Sequence, residues 1–202
     1  MYTPKHFEES DPRQLQKLID EHSFGVLISS DGERPFASHL PFIYEHEAGL
    51  LLGHVARANP QWRHFERDPL ALVIFQGPHG YISPRWYVDA GVPTWDYAVV
   101  HIYGAVRAIE DPAATAAHVE RLAARYEQGH RPPWQPDYDR RKLGGIVGIE
   151  IRIAEMQGKF KLSQNRSAED RARVVAKLVA RGTADDLALA RLIEAAGAAP
   201  AG

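Results

Sequence analysis

The chain has 202 residues, 45% hydrophobic and 25% charged, with 24 Lys and Arg against 26 Asp and Glu for a formal net charge of −2. That length allows one sizeable core with a small helical appendage, and the near-neutral balance supplies no broad positive field for duplex nucleic acid. The lack of cysteine excludes disulfides, thiolate metal sites and cysteine nucleophiles; MYTPKHFEESDP carries no apolar signal segment and no run approaches membrane-spanning length, so a cytoplasmic protein is expected.

Ser10 or Asp11 can cap a first helix with Pro12 in its first turn, and Leu15, Leu18, Ile19 and His22 recur at helical spacing. FGVLISS, residues 24–30, reads as a buried strand. DGER turns the chain, and PFASHLPFIY, residues 35–44, returns as its hairpin partner. LLLGHV from Leu50 is a third strand, a short helix is expected over about residues 60–67, and ALVIFQ, residues 71–76, is a fourth strand. Residues 77–97, GPHGYISPRWYVDAGVPTWDY, read as a loop-rich aromatic crossing because Gly and Pro break regular structure.

A long strand is expected over residues 97–109, with Ala98, Val100, Ile102, Gly104 and Val106 on one face and Tyr97, Val99, His101, Tyr103 and Ala105 on the other. Asp111 and Pro112 start a helix reaching about residue 128, and residues 129–138 form a Pro-rich loop. GIVGIEIRIAEM, residues 145–156, is a further strand, and a tight turn near Gly158 leads into KFKLS. Ser167 with Asp170 and Thr183 with Asp186 are capping-box patterns for two closing helices. Five or six hairpin-linked strands favour antiparallel pairing, and a closed or split barrel removes exposed edges. The expected class is α+β, with a barrel domain over residues 1–166 and a helical appendage over 167–202 packed on the same domain.

Two stretches suit an anion or a polar heterocycle. In GHVARANPQW, Asn59 is a good N-cap, Pro60 a good first helical residue, Gln61 lies in the first turn and Arg57 stands two residues before the cap. A planar guanidinium beside free N–H groups suits phosphate; equally, Asn-Pro starts many helices that bind nothing. In GKFKLSQNRS, Lys159 and Lys161 share one side of an extended segment, and Gln164, Asn165 and Arg166 add donors before the next helix; a solvated strand end is the plainer reading. Tyr81, Trp86, Tyr87, Trp95 and Tyr97 can wall a flat ligand or fill space beneath loops. His39, His54, His79 and His101 are widely separated and form no zinc pattern, so no metal is expected. Haem needs only one axial histidine, with His79 or His101 first in line. No G-x-S-x-G or G-x-G-x-x-G occurs, and no side chain stands out as a catalytic acid or base.

SHLPF, GHVARANPQW, FQGPHGYISPRWY, VPTWDYAVVHIYG and KLSQNR, in this order and spacing, resemble the PaiB-type family, the FMN-binding negative transcriptional regulators. The resemblance runs from MYTPKHF to the helix after KLSQNR, with one departure at Asp96, where the family usually carries Asn. It implies a split barrel of the pyridoxamine-phosphate-oxidase type, working as a homodimer with FMN at the subunit interface. It places the phosphate at Arg57, Asn59 and Gln61, adds Ser38 and His39 as cofactor contacts, has Trp95 and Tyr97 wall the ring, and brings Lys161, Gln164, Asn165 and Arg166 from the partner chain. The function implied is a flavin-dependent oxidoreductase or a redox-linked regulator. The alternatives are a direct transcriptional repressor, for which no helix-turn-helix reader is apparent, and a haem-binding or haem-degrading split barrel. Tight, direct nucleic-acid binding and membrane association are not expected.

Overall fold

Among the described residues eight strands form one sheet. The computed structural model describes residues 1–132 and 134–198. Its strands are β1 (Glu8–Glu9), β2 (Phe24–Ser30), β3 (Pro35–Pro41), β4 (Ile43–Glu45), β5 (Leu50–Ala56), β6 (Leu70–Ile82), β7 (Thr94–Ile109) and β8 (Ile146–Lys161). The helices are α1 (Pro12–Glu21), α2 (Pro112–Glu127), α3 (Ala168–Arg181) and α4 (Ala184–Ala198). The strand order is β3-β2-β6-β7-β8-β5-β4, with β1 on β8. The pairs β2–β3, β2–β6, β4–β5, β5–β8 and β1–β8 are antiparallel. The ladder ends at β3 and β4 and does not close. The α+β expectation therefore stands, with the sheet split rather than closed.

The chain divides into two compact units. One comprises residues 1–18, 76–100 and 157–198; the other comprises residues 19–75 and 101–156. In the first, Ile82, Ala98, Val100, Leu162, Val174, Leu178, Leu189 and Ile193 form a buried apolar centre, with α3 packed on α4. In the second, Leu27, Phe42, Leu51, Val73, Phe75, Ile102, Ile149 and Ile151 are buried, with α2 against β5. The final four residues of the expected 167–202 appendage, and Pro133 of the Pro-rich loop, lie outside the described residues.

Several local expectations are corrected. The strand expected over residues 35–44 is split into β3 and β4, because Pro41 has no N–H and Phe42 turns into the core, its own N–H donating to the Ser23 carbonyl at 2.9 Å. β6 runs on to Ile82 through Gly77 and Gly80, inside the stretch expected as a loop-rich crossing. Neither glycine makes a turn: a Cβ would come within 3.0 Å of Leu18 Cδ1 at Gly77 and of Leu189 Cδ2 at Gly80, so both serve close packing. β7 begins three residues early, at Thr94. The turn expected near Gly158 is absent, and β8 continues to Lys161. There β1 pairs across Gly158, where a Cβ would clash with Leu15 and lie 2.6 Å from the Glu9 carbonyl oxygen. The helix expected after Asn59 is a seven-residue 3-10 helix, Pro60–Glu66, capped as expected by Asn59 Oδ1 accepting from Gln61 N at 3.0 Å.

Candidate functional site

Residues 57–62 leave β5 and enter the 3-10 helix as a self-bonded block. Arg57 Nε donates to the Gly144 carbonyl at 2.8 Å, Nη2 to the Ile146 carbonyl at 3.2 Å, and Nη1 pairs with Glu110 at 2.9 Å. A guanidinium has five N–H groups, so two remain, and the side chain is 38% exposed. Trp62 Nε1 donates back to the Arg57 carbonyl at 3.1 Å, and the Arg63 guanidinium lies 4.8 Å from the Trp62 ring centre. Asn59 Nδ2 donates to Ser38 Oγ on β3 at 2.8 Å, which brings two of the expected site residues together. His39, one residue on, is exposed and stacks on Phe24 at 6.4 Å.

Gln61 points inward instead. It is fully buried, and its Nε2 reaches the Leu27 carbonyl at 3.0 Å, Ser29 Oγ at 3.1 Å and the Phe36 carbonyl at 3.3 Å. Ser29 Oγ also bonds His64 Nδ1 at 3.0 Å, and Gln61 Oε1 has no partner. This polar network beneath the 3-10 helix was not legible as such in the sequence, since Ser29 and His64 carry no motif. In the same unit, burial holds His54 on β5 and His118 on α2 below the usual histidine range, and His118 Nδ1 is buried without a partner. His101 Nδ1 is likewise unpartnered, and burial lowers that histidine also.

The second block lies in the other unit. Lys161, at the end of β8, donates to Thr94 Oγ1 at 2.7 Å, to the Trp95 carbonyl at 2.6 Å and to Asp96 Oδ1 at 3.1 Å. Asp96 is fully buried, and its other oxygen accepts from Ser163 Oγ at 2.5 Å. Gln164 folds onto its own turn: Oε1 accepts from Leu162 N at 2.6 Å and Nε2 donates to the Phe160 carbonyl at 2.5 Å. Arg166 stacks over the Tyr87 ring at 4.0 Å. A Cβ at Gly91 would clash with that ring and lie 3.5 Å from Arg166 Nη2, so the glycine lets the chain pass close to both. Burial pushes the Tyr87 hydroxyl up, against the opposing pull of Arg166. Asn165 is exposed.

Trp95 is 54% exposed. His79 stacks on it at 6.3 Å and Tyr81 meets it edge-on at 6.1 Å. Tyr97, two residues along β7, has Lys159 Nζ 5.5 Å from its ring centre. Trp86 lies under Arg181 at 5.4 Å. The aromatic crossing thus resolves into an exposed group, Trp95 with His79 and Tyr81, and two rings capped by arginines. Among the described residues no cluster of three or more His, Asp or Glu side chains could hold a metal ion. No described helix is long and apolar enough to cross a membrane.

The chain has relatives among known proteins. A family model described as "Putative FMN-binding domain" matches residues 1–155. The chain is 36% identical over 201 residues to "Protease synthase and sporulation protein PAI 2" of Bacillus subtilis (strain 168), with 96% of this chain and 97% of that protein covered. Among solved structures it is similar to the FAD and heme binding protein from Mycobacterium smegmatis, with a TM-score of 0.66 at 16% identity, covering 88% of this chain and 80% of that one. It is also similar to the flavocytochrome Anf3 from Azotobacter vinelandii, with a TM-score of 0.64 at 16% identity, covering 85% and 78%. These last two likenesses establish the fold.

Proposed function

Because this chain belongs to the FMN-binding, PaiB-type family of split barrels, we propose that it works as a flavin-dependent oxidoreductase or redox-linked regulator, a cytoplasmic homodimer whose FMN sites are shared between two copies. The observation that carries the reading is the Trp95 face. A large indole, 54% exposed and backed by His79 and Tyr81, is costly to leave in water and suits the plane of a flavin ring. The donor set fits the rest of the cofactor. Arg57 retains two N–H groups for a phosphate after its bonds to Gly144, Ile146 and Glu110, beside the Ser38–Asn59 pair.

In this reading Arg57, Asn59, Ser38 and His39 of one copy hold the phosphate side, and Trp95, Tyr97, Asn165 and Arg166 of the other reach the ring. Gln61, Lys161 and Gln164 act from behind by fixing backbone, since their polar groups are bonded within the chain. FMN supplies the redox chemistry, and the chain supplies orientation and electrostatics. Haem is the second reading, favoured by His79, a half-buried imidazole on the exposed aromatic face. The test is the absorption spectrum of protein incubated with FMN and then freed of unbound ligand. Flavin bands retained by the wild type and lost in Trp95→Leu are expected; a Soret band from the purified protein with no retained flavin would turn the assignment to haem.

A further inference from the structure

Lys161 is a cation with nothing left to give a cofactor. An ammonium has three N–H groups, and Thr94 Oγ1, the Trp95 carbonyl and Asp96 Oδ1 take all three. Its side chain is 20% exposed and that of Asp96 only 1%. Ser163 secures the far oxygen of Asp96, and does so from left-handed backbone with φ 58°, a conformation that side chains rarely adopt. A buried carboxylate is costly unless paired and hydrogen-bonded; here both conditions are met at the base of the exposed Trp95 ring.

We infer that Asp96 is the positioning and charge-balancing residue of the flavin site: it fixes the Lys161 ammonium on the Trp95 carbonyl and cancels its charge at that aromatic face. This rests on Trp95 being the flavin wall. Reduction adds two electrons and one proton to the bound ring, a net gain of one negative charge. A neutral Lys161–Asp96 pair favours neither form strongly, whereas an uncovered ammonium attracts the reduced one. Asn has nearly the shape of Asp but a single acceptor oxygen, so Asp96→Asn removes the charge and keeps an acceptor for Lys161 or for Ser163 but not for both.

The experiment is a spectroelectrochemical titration of the FMN-loaded full chain, with dithionite as reductant. Asp96→Asn is expected to bind reduced FMN about tenfold tighter relative to oxidised FMN, which raises the two-electron potential by about 30 mV. Lys161→Gln is expected to lower the potential, and the double variant to return toward the wild type. If Asp96→Asn fails to fold, the sign in Lys161→Gln decides alone. An unchanged potential in either variant, with FMN still lost in Trp95→Leu, rejects the role of Asp96 and leaves the flavin wall standing. FMN retained at full affinity by Trp95→Leu overturns the wall itself, and the inference with it.

Discussion

In the proposed site Arg57 combines two tasks, which one substitution tested against two ligands separates. Its Nε and Nη2 hold the carbonyls of Gly144 and Ile146, and its Nη1 holds Glu110; two N–H groups remain. A charge-assisted hydrogen bond contributes about 1.5–3 kcal/mol, so Arg57→Ala is expected to weaken FMN by about ten- to a hundredfold. Riboflavin, which lacks the phosphate, should lose far less. Equal losses, measured by fluorescence titration, would assign Arg57 to the backbone task alone. The histidines give a second expectation. Burial lowers His54 and His118 from the ordinary 6.5, so the unfolded chain takes up protons as pH falls through that value while the folded chain resists. Their stabilising contribution is complete above about pH 6.5 and is lost as pH falls through the lowered folded values. The slope cannot exceed about 1.4 kcal/mol per pH unit for each histidine, and partial exposure reduces it. Urea midpoints at pH 8 and pH 5.5 should therefore differ, and His118→Gln should narrow the difference; a midpoint gap unaffected by that substitution would remove His118 from the acid response.

At the scale of elements, glycines separate packing from turning. A Cβ at Gly158 meets Leu15 and Glu9, whereas one at Gly144 meets nothing within 4 Å. Gly158→Ala is expected to cost about 1–3 kcal/mol by overpacking, and Gly144→Ala to stay within about 0.5 kcal/mol. Chemical denaturation of the two variants side by side checks this; equal stability would mean that β1 yields without cost. The same contrast explains what the sequence makes legible. FGVLISS has the bounds of β2 because a short apolar run ends at the DGER turn, and Asn59, Asp111 and Ser167 cap where their side chains lead one to expect. Gly77, Gly80 and Gly158 mislead because residue type does not say whether a missing side chain serves a turn or a neighbour such as Leu189, more than a hundred residues away. The site divides likewise. Its residue types mark both blocks, but the partners that occupy Arg57 and Lys161, at Gly144, Ile146, Trp95 and Asp96, come together only through strand pairing and loop paths that spacing cannot encode.

For the whole molecule, a flavin site assembled from residues 57–61 and 161–166 of two copies requires association. Sedimentation at micromolar protein is expected to show a single dimeric species, and a clean monomer that still binds FMN would end the shared-site reading. Direct repression requires several Lys and Arg to neutralise phosphates together. Here 24 basic residues face 26 acidic ones, and Lys161 is engaged with Asp96. Binding to duplex DNA is expected to be nonspecific, at roughly 10⁻⁴–10⁻⁶ M at physiological salt. Titration of promoter and scrambled duplexes at two salt concentrations checks this; nanomolar affinity with promoter preference would restore direct repression as the main activity.

The left-handed backbone at Ser163 sets a narrow window of tolerance at that position. Glycine would relax the main chain but withdraw the hydroxyl from Asp96, leaving a buried carboxylate one donor short, a loss of about 1–3 kcal/mol that outweighs the relief. Alanine keeps the strain and loses the donor. Threonine keeps the donor, yet its branched Cβ suits a positive φ poorly. In a saturation library this polar turn residue should therefore behave like a core position, accepting few substitutions, because each simple replacement repairs one demand by breaking the other.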